Sequence, residues 1–137
     1  MTDVFVSYAR SDAREFVERL SGALEGRGKD TWVDLEDIPA ASVWNEDLRE
    51  GIAASDSFCF VISPASVASE HCLAELEYAV GLGKRLLPGL HLPAPDEQVP
   101  EAVAVRNWIP QTGRFADDFD ASMDTLVGPS RGRSRWR

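Results

Sequence analysis

The 137-residue chain is poor in the residues that build covalent or metal frameworks, with two cysteines and two histidines. Cys59 in an apolar run and Cys72 in a helical pattern make no disulfide framework and fit a reducing compartment. Together with His71 and His91 they show no metal-ligand spacing, so no metal is expected. Long hydrophobic runs are missing too. The longest wholly apolar stretch, Phe58 to Ile62, is far too short to span a bilayer, and no basic-then-apolar leader opens the sequence, so a soluble, cytoplasmic protein with no membrane partner is expected. Basic residues are scarce: four of the 14 Lys and Arg lie in the last seven positions, leaving ten against 23 acidic residues over 1–127. So acidic a body is a poor partner for nucleic-acid phosphates. Neither Gly-x-Gly-x-x-Gly nor Gly-x-x-x-x-Gly-Lys occurs, which argues against a tightly held redox dinucleotide or a P-loop nucleotide.

What is present is alternation. Val4-Phe5-Val6 is a short strand leading into the loop Ser7 to Asp12, with Asp12 as N-cap of a helix over 13–27 that turns Phe16, Val17, Leu20, Ala23 and Leu24 inward and stops at Gly28. Thr31 to Asp34 reads as a second strand. Leu35 to Ala41 is a loop, and the next helix carries Trp44, Leu48 and Ile52 inward. Phe58 to Ile62 is a fully buried strand ended by Ser63-Pro64. A helix over 69–84 leads to a fourth strand, Arg85 to Leu90, in which Pro88 should mark the end. After an acidic, proline-rich loop from Pro93 to Pro100, Arg106 to Ile109 is a short fifth strand and Phe115 to Leu126 a last helix. Such alternation predicts an α/β fold in one domain, residues 1–127: a parallel sheet covered on both faces, with ligands outside the carboxyl ends of its strands. Residues 128–137, a Gly-Pro-Ser break and an arginine-rich tail, are expected to be disordered.

Within the 69–84 helix, Cys72, Leu73, Leu76, Ala79 and Val80 form the apolar stripe at 100° per residue, while Glu70 and Glu77 fall on the wet side. Glu75 projects from the margin of the stripe, one turn after His71. It is either a partly desolvated functional carboxylate or a boundary residue whose head reaches water.

Val4-Phe5-Val6-Ser7-Tyr8-Ala9-Arg10-Ser11-Asp12, the loop Asp34 to Pro39, Phe60-Val61-Ile62-Ser63 and Ser69-Glu70-His71-Cys72-Leu73-Ala74-Glu75-Leu76, in that order and spacing, resemble the Toll/interleukin-1 receptor (TIR) domain family in its bacterial form. The resemblance implies a flavodoxin-like, five-stranded sheet with the first and third strands adjacent. It further implies cleavage of the nicotinamide–ribose bond of NAD+, the activity of many prokaryotic and plant members, with NAD+ as substrate and no resident cofactor. The family's glutamate in Cys-x-x-Glu-Leu falls on Glu75. Other members are scaffolds that recruit further TIR domains.

Nicotinamide leaves as a neutral molecule while the ribose gains oxocarbenium character, so one ionised carboxylate can carry the chemistry by meeting the ribose hydroxyls and offsetting positive charge. On the resemblance, Arg10 would meet the phosphates; its alternative is a solvated arginine paired with Asp12. Tyr8 would line the pocket or simply pack. Asp37-Ile38-Pro39 matches the family's loop that serves as substrate lid and assembly contact, or is a plain connection. Trp44 would stack on a flat ring or belong to the core. Two positions depart from the family pattern: His71 stands where many family enzymes have tryptophan, and the loop Leu92 to Asp96 holds no aromatic residue, so stacking would fall to Trp44 or a neighbouring subunit. Partners implied are NAD+, further TIR domains in a self-assembled site, and a separate or lost sensor domain, in a bacterial immune or antiphage effector. The competing reading is a non-enzymatic TIR–TIR interaction module. A phosphoacceptor receiver using Asp56 or Asp34 lacks the acidic pair that would hold magnesium after the first strand.

Overall fold

The computed structural model describes residues 2–33, 46–106, 108–110 and 113–127. Among these residues four strands, β1 (Thr2–Ser7), β2 (Thr31–Trp32), β3 (Ser55–Ile62) and β4 (Arg85–Leu90), pair entirely in parallel in the order β2-β1-β3-β4. Strand order therefore reverses beside β1, where the chain crosses from β2 to β3 on its other side. The connecting helices are α1 (Arg10–Gly26), α2 (Glu46–Ala54), α3 (Pro64–Val67) and α4 (Glu70–Gly81), followed by α5 (Glu101–Ala104) and α6 (Phe119–Val127).

Period-two alternation along the buried strands divides the core. Val4, Val6, Tyr8, Cys59, Val61 and Leu87 pack against α1 and α6 on one face. Phe5, Phe58, Phe60, Ile62 and Leu86 meet α2 and α4 on the other, around Leu48, Ile52, Cys72, Leu76 and Ala79. Phe5 stacks between Trp32 and Phe58 at centroid distances of 4.8 and 5.5 Å.

Helices α1 and α4 end alike. Lys29 N donates to Leu24 O and Lys84 N to Ala79 O, with Gly28 and Gly83 at φ +83° and +73°. These are Schellman closures, and their left-handed residue is glycine because it has no Cβ to clash. The stop at Gly28 agrees with the sequence expectation, whereas α4 ends at Gly81, before Lys84.

Several expectations are corrected. Helix α1 begins at Arg10, so Asp12 lies within its first turn and is not its N-cap; that position is Ala9, which makes no side-chain cap. Pro88 does not end β4 but lies inside it. Its carbonyl accepts from Ile109 N at 2.8 Å on the side away from β3, so the missing N–H falls at the outer edge, where proline is tolerated. Among the described residues the expected fifth strand is reduced to an isolated parallel bridge, Gly89 with Ile109. Val80, assigned to the apolar stripe, is 43% exposed. Helix α3 was not anticipated; Ser63 caps it by accepting from Ser66 N at 3.1 Å. Asp34 and the tail 128–137 lie outside the described residues. Among those described, no helix is long and apolar enough to cross a membrane.

Candidate functional site

The carboxyl ends of β1, β3 and β4 converge beside the switch in strand order, and the polar side chains buried there are tied to one another. Helix α4 is capped by Ser69, whose hydroxyl accepts from Cys72 N at 3.2 Å, and the helix that follows turns Glu75 toward the sheet. Glu75 is only 4% exposed, deeper than a residue at the margin of a stripe. The last residue of β1, Ser7, shares the α4-facing side with Phe5 because it lies two positions further along, and its Oγ donates to Glu75 Oε1 at 2.7 Å. His71 Nε2 stands 3.1 Å from Oε2 across one helical turn. Oε1 thus has a hydroxyl donor and Oε2 a ring nitrogen within hydrogen-bonding distance, partners that suit a buried carboxylate.

Cys72 packs alongside. Its thiol is pushed up to about 11, by burial first and then by the negative charge of Glu75, against weaker opposing hydrogen bonds with Ser69 and Ser7. It is therefore a neutral packing group at physiological pH and adds no second negative charge. Cys59, in the opposite core, is pushed up to about 12 by burial.

A second cluster braces the same strand ends. Asp12 reaches from α1 to the β3–α3 junction, where its carboxylate accepts from Ser63 Oγ at 2.9 Å and Ala65 N at 3.0 Å. Its own carbonyl lies 2.9 Å from His91 Nε2, just after β4. The His91 ring stacks on Phe16 with centroids 4.4 Å apart. Arg10, Asp12, Arg14, Phe16 and His91 line a recess of about 370 Å³ at the start of α1.

The sequence-predicted residues are thus distributed unevenly. Glu75 sits at the strand ends with Ser7 and His71. Arg10 lines the neighbouring recess, in whose wall Glu75 takes no part. Tyr8 is 8% exposed and packs into the α1/α6 face, opposite Glu75, because alternation along β1 sends it the other way. Asp37, Ile38 and Trp44 lie outside the described residues. Sequence reasoning missed Ser7 and the bracing role of Asp12. The available signal for Ser7 was a lone hydroxyl closing an apolar strand in phase with Phe5. Among the described residues no group of three His, Cys, Asp or Glu could hold a metal ion.

A sequence model described as "TIR domain" matches residues 4–127. No curated protein matches the chain. Among solved structures, it is similar to the TIR domain of the Toll-related receptor TRR-2 from Hydra magnipapillata, with 24% identity over 90% of this chain and 91% of that one and a TM-score of 0.67. It is also similar to the TIR domains of the activated Roq1 resistosome that directly recognises the pathogen effector XopQ, at 26% identity, 90% and 78% coverage and a TM-score of 0.62. A metazoan TIR-STING receptor from C. gigas matches at 21% identity, 92% and 40% coverage and a TM-score of 0.64.

Proposed function

The chain belongs to the TIR domain family, and on that premise we propose that it is an NAD+ glycohydrolase in which Glu75 is the catalytic carboxylate. The observation that carries this reading is a glutamate 4% exposed at the carboxyl end of the sheet, with a donor on each oxygen. Core packing has no use for such a charge, whereas stabilising a developing cation does.

In the proposed reaction the bond between C1′ of the ribose and the nicotinamide nitrogen breaks, and both electrons leave with the ring. Glu75 accepts hydrogen bonds from the ribose hydroxyls, and its charge opposes the positive charge growing on the sugar. Water adds to C1′ and loses a proton, giving ADP-ribose; attack by another atom of the same molecule instead gives a cyclic isomer. Arg10 meets the pyrophosphate with a fork of donors, Tyr8 acts only by packing beneath the strand end on the opposite face, and Asp37, Ile38 and Trp44 cover and stack the substrate. We place the activity in a cytoplasmic bacterial immune effector whose site is completed by self-assembly.

One observation favours a second reading, that of a non-enzymatic TIR–TIR interaction module. Val80 and Leu82 are 43% and 44% exposed at the end of α4, apolar surface suited to contact. Conversion of NAD+ by the wild type and by Glu75→Gln separates the two. The enzyme reading expects a loss of about 100-fold or more with assembly retained; unchanged NAD+ and intact assembly in both proteins would leave the interaction module.

A further inference from the structure

The two donors on Glu75 differ in how firmly they are held. Ser7 is 1% exposed and paired opposite Phe60 in the β1–β3 ladder, and it reaches Oε1 from 68 residues away in sequence. A one-carbon side chain on a strand paired on both sides has little freedom to move. His71 lies on the same helix as Glu75, and its side chain is 24% exposed against 6% for the glutamate. Its longer side chain is the more exposed of the pair, and its rotation off Oε2 would break no backbone pairing.

We propose that Ser7 is the positioning residue that fixes one oxygen of Glu75, and that His71 is the exchangeable partner that holds the other oxygen until a ribose hydroxyl takes its place. This rests on the reading of Glu75 as the ribose-facing carboxylate. The exchange replaces one donor by another: Nε2–H leaves Oε2 and a sugar O–H arrives, so the buried charge is never left without a partner. Oε1 keeps its bond to Ser7 throughout, so the carboxylate does not rotate as its other partner changes. Chemically, the site selects ligands that present a hydroxyl donor, and a ligand lacking one would have to leave Oε2 orphaned to displace His71.

The test compares wild type, Ser7→Ala, Ser7→Thr and His71→Ala, each checked for folding by thermal unfolding, in nicotinamide release and in crystal structures. Ser7→Ala should lower kcat about 10- to 100-fold with KM changed less than about threefold, as expected when a charged acceptor loses its orienting donor. Ser7→Thr, which keeps the hydroxyl, should recover most of kcat. His71→Ala should lower KM for NAD+, because no partner has to be displaced. In the crystals the Glu75 carboxylate should leave its position in Ser7→Ala and keep it in His71→Ala. The proposal is overturned if folded Ser7→Ala retains kcat within about twofold, if Ser7→Thr falls as far as Ser7→Ala, if His71→Ala raises KM, or if Glu75 stays in place without the Ser7 hydroxyl. Absence of turnover in the wild type would sink the glycohydrolase reading alone, and the position of Glu75 in the Ser7→Ala crystal would still decide whether Ser7 positions it.

Discussion

Replacing Asp12 by alanine should weaken the whole domain, although Asp12 lies in the first turn of a surface helix. Its carboxylate accepts from Ser63 Oγ at 2.9 Å and Ala65 N at 3.0 Å, tying the start of α1 to the start of α3 across 51 and 53 residues of sequence. A hydrogen bond to a charged group contributes about 1.5–3 kcal/mol, and Asp12 is half-buried, so the lower part of that range applies to each. Truncation also leaves Ala65 N without its acceptor. Together these give a loss of about 2–4 kcal/mol, a large share of the ~5–15 kcal/mol that holds a domain together. Asp12→Asn keeps one carbonyl oxygen and should lose roughly half as much. Neither substitution removes the backbone carbonyl that faces His91, so the β4 end of the brace remains. Urea unfolding followed by tryptophan fluorescence gives the difference; with a slope of about 1.5 kcal/mol per molar, the alanine variant's midpoint should fall by about 1–3 M. A loss below about 0.5 kcal/mol would refute the reasoning and make Asp12 an ordinary solvated carboxylate.

Gly51→Ala should destabilise by about 1–3 kcal/mol despite alanine's better helix propensity, because a Cβ there would stand 2.8 Å from Trp32 Cε2 and that ring is stacked on Phe5; an unchanged or higher melting temperature would contradict this. The two thiols predict alkaline instability. Folding holds Cys59 and Cys72 protonated to about 12 and 11, against 9.0 for an unperturbed thiol, so above pH 9 the unfolded chain has lost protons that the native one keeps. Stability should then fall as pH rises, by up to about 1.4 kcal/mol per unit for each thiol, with no contribution from them below pH 9. Urea midpoints at pH 8, 9 and 10 should show a steeper decline in the wild type than in a Cys59→Ala/Cys72→Ala double variant, and parallel declines would refute it. For the same reason native Cys59 and Cys72 should resist iodoacetamide at pH 8, and rapid labelling of the folded protein would show that the thiols are not sealed.

Local chemistry made much of this molecule legible in the sequence. The apolar period of α1, the apolar run of β3 and the glycine that closes α1 are set by neighbouring residues, and each is found in its element, although α1 and β3 both begin three residues before their patterns predict. Glu75 stands out because a charge stands at the margin of an inward-facing stripe, though its full burial was not legible there. What stayed hidden depends on partners distant in the chain. Nothing near Ser7 announces a glutamate 68 positions on, and Asp12 looks like the cap of the helix it adjoins because the α3 amide it serves lies beyond β3. Pro88 reads as a terminator unless the outer edge of β4 is known to bond Ile109 through the Pro88 carbonyl, which leaves the missing N–H unused. Tyr8 could be sent to the face opposite Glu75 only once β1 was known to keep its alternation through Ser7.

The most direct test of the central claim is nicotinamide release from NAD+ by the purified protein, dilute and under crowding, with Glu75→Ala as the paired control. Release should rise steeply with protein concentration and disappear without the Glu75 carboxylate. Equal release by the folded Glu75→Ala protein, or none from folded wild type under both conditions, would contradict it.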